Sequence, residues 1–124
     1  MTEDVKTILA IDDSRTMRSM LSASLRSAGF EVELAEDGED GLARLEDMRP
    51  DAIITDINMP RLDGFGVIER VRSDQRLKTT PILVLTTESA AELKLRAKRA
   101  GATGWIVKPF DQAKLVGALR KLVA

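Results

Sequence analysis

Residues 52–56 read Ala-Ile-Ile-Thr-Asp. A short apolar run suited to a buried strand ends abruptly on a carboxylate. A run of that length with no polar alternation fits a strand covered on both faces, as in a parallel sheet. Working outward, the same pattern recurs. Residues 7–11 (TILAI) lead into Asp12-Asp13, 32–35 (VELA) into Glu36-Asp37, 81–85 (PILVL) into Thr86-Thr87, and 105–107 (WIV) into Lys108-Pro109. Stretches with helical period lie between them. In 14–28, Met17, Met20, Leu21, Ser24 and Ala28 share a face, and Gly29 supplies a stop. Leu93, Ala97 and Ala100 align in 89–100, and Leu115, Leu119 and Leu122 in 111–123. Weaker patterns occupy 39–48 and 65–72. Strand and helix thus alternate five times. Such alternation predicts an α/β domain with a parallel sheet, right-handed crossovers and helices on both faces, a doubly wound three-layer sandwich. The 124 residues suit one domain spanning 1–124, with no linker or internal repeat.

Composition narrows the chemistry. The chain carries 20 acids and 19 bases, a net charge of −1. The first 62 residues hold 14 acids and 7 bases, whereas the last 62 hold 6 acids and 12 bases. A uniformly charged binding tail is therefore not expected, and a division of labour between the two halves becomes the better question. There is no Cys and no His. Disulfides, thiolate and imidazole metal sites, and Ser-His or Cys-His catalysis within this chain are excluded. Carboxylates, hydroxyls, Lys and Arg remain. No apolar run approaches the roughly 18 residues of a spanning helix. The N-terminal MTEDVKTILA is unlike a signal peptide. A soluble, cytoplasmic protein with no membrane partner is expected.

In open α/β sheets, ligands bind beyond the carboxyl ends of the strands, where strand order reverses. Asp12, Asp13, Asp56, Thr86 and Lys108 all follow or end apolar runs, so this topology gathers them from distant parts of the chain. Glu36 and Asp37 follow the second run and are expected to be solvated if that strand is an edge. Three carboxylates in one crevice repel one another, and a hard divalent cation removes the conflict. Mg²⁺ favours oxygen ligands and commonly shares a phosphate oxygen. Lys108 offers a point charge for a phosphoryl group, and Thr86 offers a hydroxyl. A carboxylate nucleophile, a metal and a cation together describe phosphoryl transfer to Asp. Taken singly, each residue has a plainer reading: Asp12-Asp13 as a helix cap, Asp56 as a turn former, Thr86 as a strand-end hydroxyl, Lys108 as a solvated cation. Their joint arrangement carries the functional reading.

The motifs ILAIDDS, IITDINMPRLDGF, ILVLTTE and GWIVKPF, in that order and spacing, resemble the receiver domain of bacterial response regulators. The resemblance covers about residues 6–123 and is strongest to the single-domain chemotaxis regulators of the CheY type. It implies a flavodoxin-like (βα)5 fold with sheet order 2-1-3-4-5. It also implies a phosphorylation-activated switch of a two-component system, with Asp56 as phosphoacceptor. Asp13 would bind Mg²⁺ directly, Asp12 through water, and the backbone carbonyl of Asn58 would complete the protein ligands. Lys108 would pair with the phosphoryl group and Thr86 would move toward it. Lys108-Pro109 would be a cis peptide, and Met59-Pro60 and Gly64 would shape the turn after the acceptor. Asn58 and Glu88 match positions that tune dephosphorylation.

Trp105 is a departure, because the family usually places Tyr or Phe three residues before the lysine. The plain reading is a strand residue half-buried against the last two helices; the functional one is a bulky switch coupled to Thr86. The implied phosphodonor is a histidine kinase, which must supply the histidine this chain lacks. The implied target is the flagellar motor switch, and a phosphatase is a further candidate partner. Beyond Trp105, Lys94, Leu95, Lys98, Arg99 and Lys114 form a candidate docking face for an acidic partner, against the plainer reading of a solvated surface. Nucleic acid is not expected, and a monomer is. The chain stops after the last helix, so no attached output domain is expected. A phosphorelay intermediate, a phosphate sink or a cell-cycle receiver are the alternatives.

Two other classes fit less well. An Asp-nucleophile phosphatase often carries a second Asp two residues on as general acid, where this chain has Asn58. A flavin binder of this fold would need a phosphate cradle after the first strand, where two aspartates would repel it. The protein is thus expected to be no enzyme beyond its own phosphorylation and dephosphorylation.

Overall fold

The computed structural model describes residues 5–124. Ten elements alternate along the described residues: β1 (Thr7–Ile11), α1 (Arg15–Ser27), β2 (Glu31–Ala35), α2 (Gly38–Leu45), β3 (Ala52–Thr55), α3 (Gly64–Ser73), β4 (Ile82–Thr86), α4 (Ala91–Ala100), β5 (Gly104–Val107) and α5 (Gln112–Val123). The strands form one parallel sheet in the order β2-β1-β3-β4-β5. This is the flavodoxin-like arrangement that the resemblance implies.

Side-chain alternation along the strands builds two cores. Ile8, Ala10, Ile54 and Leu85 pack with Leu21 and Leu25 of α1 and Leu115 and Leu119 of α5. Leu9, Ile11, Ile53 and Val84 pack on the opposite face with Leu45 of α2, Ile68 of α3 and Ala97 of α4. The central strands are buried on both sides, which explains their continuous apolar runs. One expected core residue is placed elsewhere. Met20 is 46% exposed. The α1 stripe steps by one turn from Met17 through Leu21 to Leu25, and Met20 falls beside it.

Strand ends shift by a residue where backbone chemistry decides. β4 begins at Ile82 because Pro81 has no N–H for the ladder, although its carbonyl accepts from Ile53 N at 2.9 Å. It ends at Thr86, which pairs with Val107. Ser14, Asp37 and Asp63 cap α1, α2 and α3, accepting from Met17 N at 3.2 Å, Asp40 N at 2.8 Å and Gly66 N at 2.9 Å. Each such cap stabilises a helix by about 1 kcal/mol. By contrast, Ala90 before α4 and Asp111 before α5 make no side-chain cap bond. No described helix is long and apolar enough to cross a membrane.

Register then positions the site. Ile11 lies opposite Thr55, Thr55 opposite Val84, and Thr86 opposite Val107. The residues just past β1 and β3, the last residue of β4 and the residue just past β5 consequently share one end of the sheet.

Candidate functional site

Asp12 follows β1 and is 1% exposed, while Asp56 follows β3 and is 8% exposed. Their burial follows from strands covered on both faces. Asp13, one residue on, is exposed. Oxygens of the three carboxylates lie within 4.8 Å of one another. The backbone fixes two of these side chains. Asp12 Oδ1 accepts from Ser14 N at 2.9 Å, and Asp56 Oδ1 accepts from Ile57 N at 2.6 Å. Arg18 Nη1 donates to the Asp12 carbonyl at 2.8 Å and fastens α1 to the end of β1.

Lys108 enters from β5. Its Nζ donates to Asp12 Oδ2 at 2.7 Å and to Asp56 Oδ2 at 2.8 Å. Burial pushes its ammonium toward deprotonation, and this is the largest single influence. The bonds and charges of the two aspartates together outweigh it, so the pKa rises above the ordinary lysine value. The Lys108–Pro109 peptide is cis. One ammonium thus faces three carboxylates. That imbalance, with an all-oxygen donor set, fits a small hard cation such as Mg²⁺, held by Asp12, Asp13 and Asp56.

The structure places the remaining expected residues around this centre in two tiers. Thr86 is fully buried, and its Oγ1 accepts from Glu88 N at 3.4 Å. No hydrogen bond among the described residues joins Thr86 to Asp56. Asn58 is exposed, and its Nδ2 donates to Glu88 Oε2 at 2.7 Å. Trp105 Nε1 donates to the Glu88 carbonyl at 3.1 Å. Glu88 is therefore gripped by Asn58 through its carboxylate, by Thr86 through its N–H and by Trp105 through its carbonyl. A half-buried Trp seeks a partner for its N–H, but the sequence carries no sign of which carbonyl it finds.

Trp105 departs from the expected packing against two helices. It joins the core on the α4 side of the sheet, whereas its neighbour Ile106 joins the α5 side. Lys94, Lys98 and Trp105 line one groove of about 300 Å³ with Ala97, Ala102 and Thr103. Leu95, 47% exposed, and the exposed Arg99 lie on α4 as well. Lys114 is exposed on α5 and does not line that groove. Arg96 of the same helix was not part of the expected face; its guanidinium stacks 3.9 Å from the centre of the Phe65 ring.

The edge carries a second correction. Glu36 is exposed as expected, but Asp37 is 3% exposed. Its carboxylate caps α2 and forms an ion pair with Arg61 Nη2. The Asp40 N–H, followed by the Arg61 guanidinium, holds its pKa below the ordinary value of 3.8. Arg61 stands at φ +68°, a region that costs a residue with a long side chain about 1 kcal/mol or more. Gly64 marks the other end of this loop. A Cβ there would lie 2.2 Å from the Asp56 carbonyl oxygen, so only glycine allows the close approach.

Comparison with known proteins places this geometry in a family. The sequence model of the response regulator receiver domain matches residues 8–120. The structure of the chemotaxis protein CheY4 from Vibrio cholerae superposes with a TM-score of 0.92 at 45% identity, over 96% of this chain and 99% of that one. The receiver domain of the sensor histidine kinase PA1611 from Pseudomonas aeruginosa, determined with a magnesium ion in its active-site cleft, superposes with a TM-score of 0.89 at 29% identity, over 97% of this chain and 98% of that one. Among sequence relatives, the DNA-binding dual master transcriptional regulator RpaA from Synechocystis is 35% identical over 94% of this chain and 48% of its own length. The chain therefore spans about half the length of RpaA. The matched motifs, the strand order and the carboxylate-lysine centre coincide in one conclusion: this chain belongs to the response regulator receiver domain family.

Proposed function

We propose that Asp56 accepts a phosphoryl group and that its phosphorylation shifts the chain between two states with different affinity for a target. The observation that carries this reading is the Lys108 ammonium bridging Asp12 and Asp56 inside a cluster of three carboxylates. An oxygen of Asp56 attacks phosphorus, and the P–N bond of a histidine kinase's phosphohistidine breaks. The electron pair leaves with the partner imidazole, and an acyl phosphate forms on Asp56. Mg²⁺, held by Asp12, Asp13, Asp56 and the carbonyl of Asn58, would offset negative charge on the transferring group. Lys108 is already bonded to Asp56 Oδ2 and needs little movement to pair with a phosphoryl oxygen. The Ile57 N–H holds the other carboxylate oxygen and fixes the orientation of the nucleophile.

The dianion then draws the Thr86 hydroxyl inward. Thr86 and Trp105 meet at Glu88, so movement of one disturbs the other. Asn58 and Glu88, joined by a hydrogen bond, set access to the acyl phosphate and with it the phosphoryl lifetime. The shift reaches the surface through Trp105, which lines the α4 groove. Lys94, Lys98 and Arg99 give that region a cationic rim, with Leu95 as an apolar anchor and Lys114 as an outlying charge. It suits an acidic partner segment, and the likeness to CheY4 favours the flagellar motor switch. The likeness to RpaA points instead to an output within a longer regulator.

Incubation with acetyl phosphate and Mg²⁺ is expected to add one phosphate per chain, read by intact mass. Asp56→Asn is expected to add none, and labelling that persists in this variant overturns the assignment. Comparative capture with untreated and beryllofluoride-treated protein tests the output: a motor switch component retained only after treatment supports it, and equal retention opposes it.

A further inference from the structure

The loop from Ile57 to Asp63 carries Asn58; Ile57 N donates to Asp56 Oδ1 at one end and Asp63 accepts from Gly66 N and Val67 N at the other, yet few bonds hold its middle. Gly64 N donates to the Ile57 carbonyl at 2.9 Å, and Leu62 N donates to the Pro60 carbonyl at 2.8 Å. Outside the loop, the Asn58 side chain reaches Glu88 and the Arg61 side chain reaches Asp37. The second contact joins features that are each unusual. Arg61 adopts a left-handed conformation that residues other than Gly, Asn and Asp avoid. Asp37 is a nearly buried acid on an edge loop, fully engaged by the Asp40 N–H and the Arg61 guanidinium. Glu39 adds a longer contact to Arg61 Nε at 3.5 Å. The two backbones also press together, because a Cβ on Gly38 would lie 2.4 Å from the Leu62 carbonyl oxygen. A strained residue persists only where its surroundings hold it.

We infer that the Asp37–Arg61 pair is a positioning clamp: it holds the loop after β3 against the start of α2 and thereby sets the carbonyl of Asn58 for the cation at the acidic cluster. This rests on the reading that Asp12, Asp13 and Asp56 take Mg²⁺. Neither clamp residue touches the cation. Each acts through the backbone of the loop, as outer-shell partners do at other metal sites.

Charge alone and clamping predict opposite signs at Arg61, though the same sign at Asp37, which makes the inference testable. Asp37→Asn keeps the Oδ1 that caps α2 but loses the anionic oxygen facing Arg61. Arg61→Asn tolerates the left-handed conformation but cannot reach Asp37. If only long-range charge mattered, Asp37→Asn would weaken Mg²⁺ binding, Arg61→Asn would tighten it, and the double variant would match the wild type. Under the clamp, both single variants weaken Mg²⁺ binding, by roughly tenfold on the scale of other outer-shell substitutions, and the double variant is no weaker than either. Titration calorimetry with MgCl₂ at fixed ionic strength reads the affinities. Amide exchange at Ile57 and Gly64 in metal-free protein reads the loop itself, with faster exchange expected in both single variants.

Opposite-signed affinity changes, or unchanged affinity and exchange in both variants, overturn the clamp. A wild-type chain that takes up no Mg²⁺ overturns the metal reading, and with it the positioning role. Faster exchange in the variants would then still register the mechanical link between the two loops, so the two failures are distinguishable.

Discussion

Two aspartates at strand ends each place one oxygen on a backbone N–H and the other on a cation, yet their surroundings differ. Asp37, past edge strand β2, has one oxygen on a backbone N–H and the other on a guanidinium. Asp56, past central strand β3, shares a single ammonium with Asp12 while Asp13 stands close by. Both are largely buried. At the edge both oxygens of Asp37 are engaged, the other acid on Arg61, Glu39, is exposed, and the pair acts as structure. The centre holds more negative charge than its own residues offset, and that excess makes it a place for a cation and a phosphoryl group. Burial of an acid therefore does not by itself mark a site; the balance of its partners does.

The strongest way to break this contrast is to remove the shared cation. Lys108→Met leaves two buried carboxylates side by side. Losing one member of a buried ionic group costs about 3 kcal/mol, so chemical denaturation without metal should show a loss of that order. Saturating Mg²⁺ is expected to recover much of it, because the metal binds only the folded centre. Equal stability of variant and wild type in metal-free buffer would mean that the centre is already balanced.

Asp13→Asn probes the excess from the other side and should have the opposite sign. Asp13 makes no ion pair among the described residues, so its removal takes away repulsion and no attraction. The melting temperature is expected to rise by roughly 2–5 °C, as a gain near 1 kcal/mol would give at this size, while Mg²⁺ affinity falls at least about tenfold. A lower melting temperature would refute the claim that the centre trades stability for ligand binding.

Protonation separates the two regions by pH. Asp37 has a depressed pKa, so its stabilisation is present above the ordinary value of 3.8 and is lost as pH falls through the lower folded value. Lys108 has a raised pKa, so its stabilisation is complete below the ordinary value of 10.5 and is lost as pH rises through the higher folded value. The stability difference between wild type and Asp37→Asn, expected to be about 1 kcal/mol at neutral pH with an exposed arginine partner, should shrink only in acid below about pH 3.8. The difference for Lys108→Met should shrink in alkali above about pH 10.5. Denaturation series at the two extremes check both windows, and a Lys108→Met difference that persists unchanged well above pH 10.5 would remove the alkaline one.

The parts legible in the sequence are those written in local pattern. AIIT, TILAI and PILVL display burial on both faces as unbroken apolar runs, and each leads directly into a site residue. The centre was legible because topology alone brings strand ends together. Asp37 was not, because its fate depends on Arg61, 24 positions away. No local pattern shows that a left-handed arginine will turn back to an edge loop. Met20 was misplaced because a helical face read from spacing alone has uncertain borders, which only the stripe of Leu21 and Leu25 resolves. The clasp on Glu88 was likewise hidden, since a tryptophan's need for an acceptor does not name the carbonyl that meets it.

The smallest expected effect tests how the excess charge of the centre is felt at the surface. Trp105 makes no hydrogen bond to Asp56 or Lys108, and its tie to the centre runs through the Glu88 carbonyl. Trp105→Phe removes the N–H and keeps an aromatic ring for the α4 groove. The freed carbonyl belongs to a half-buried residue that water reaches, so the stability loss should be only about 0.5–1 kcal/mol. Phosphate uptake from acetyl phosphate should continue at the wild-type initial rate, because Asp56, Lys108 and the carboxylate cluster are untouched. What should change is communication: the gain in affinity for a captured partner on beryllofluoride treatment should diminish in the variant. A variant that takes up phosphate slowly would place Trp105 among the residues of the reaction centre. One with full uptake and an undiminished gain would mean that Glu88 passes the signal through Thr86 and Asn58 alone.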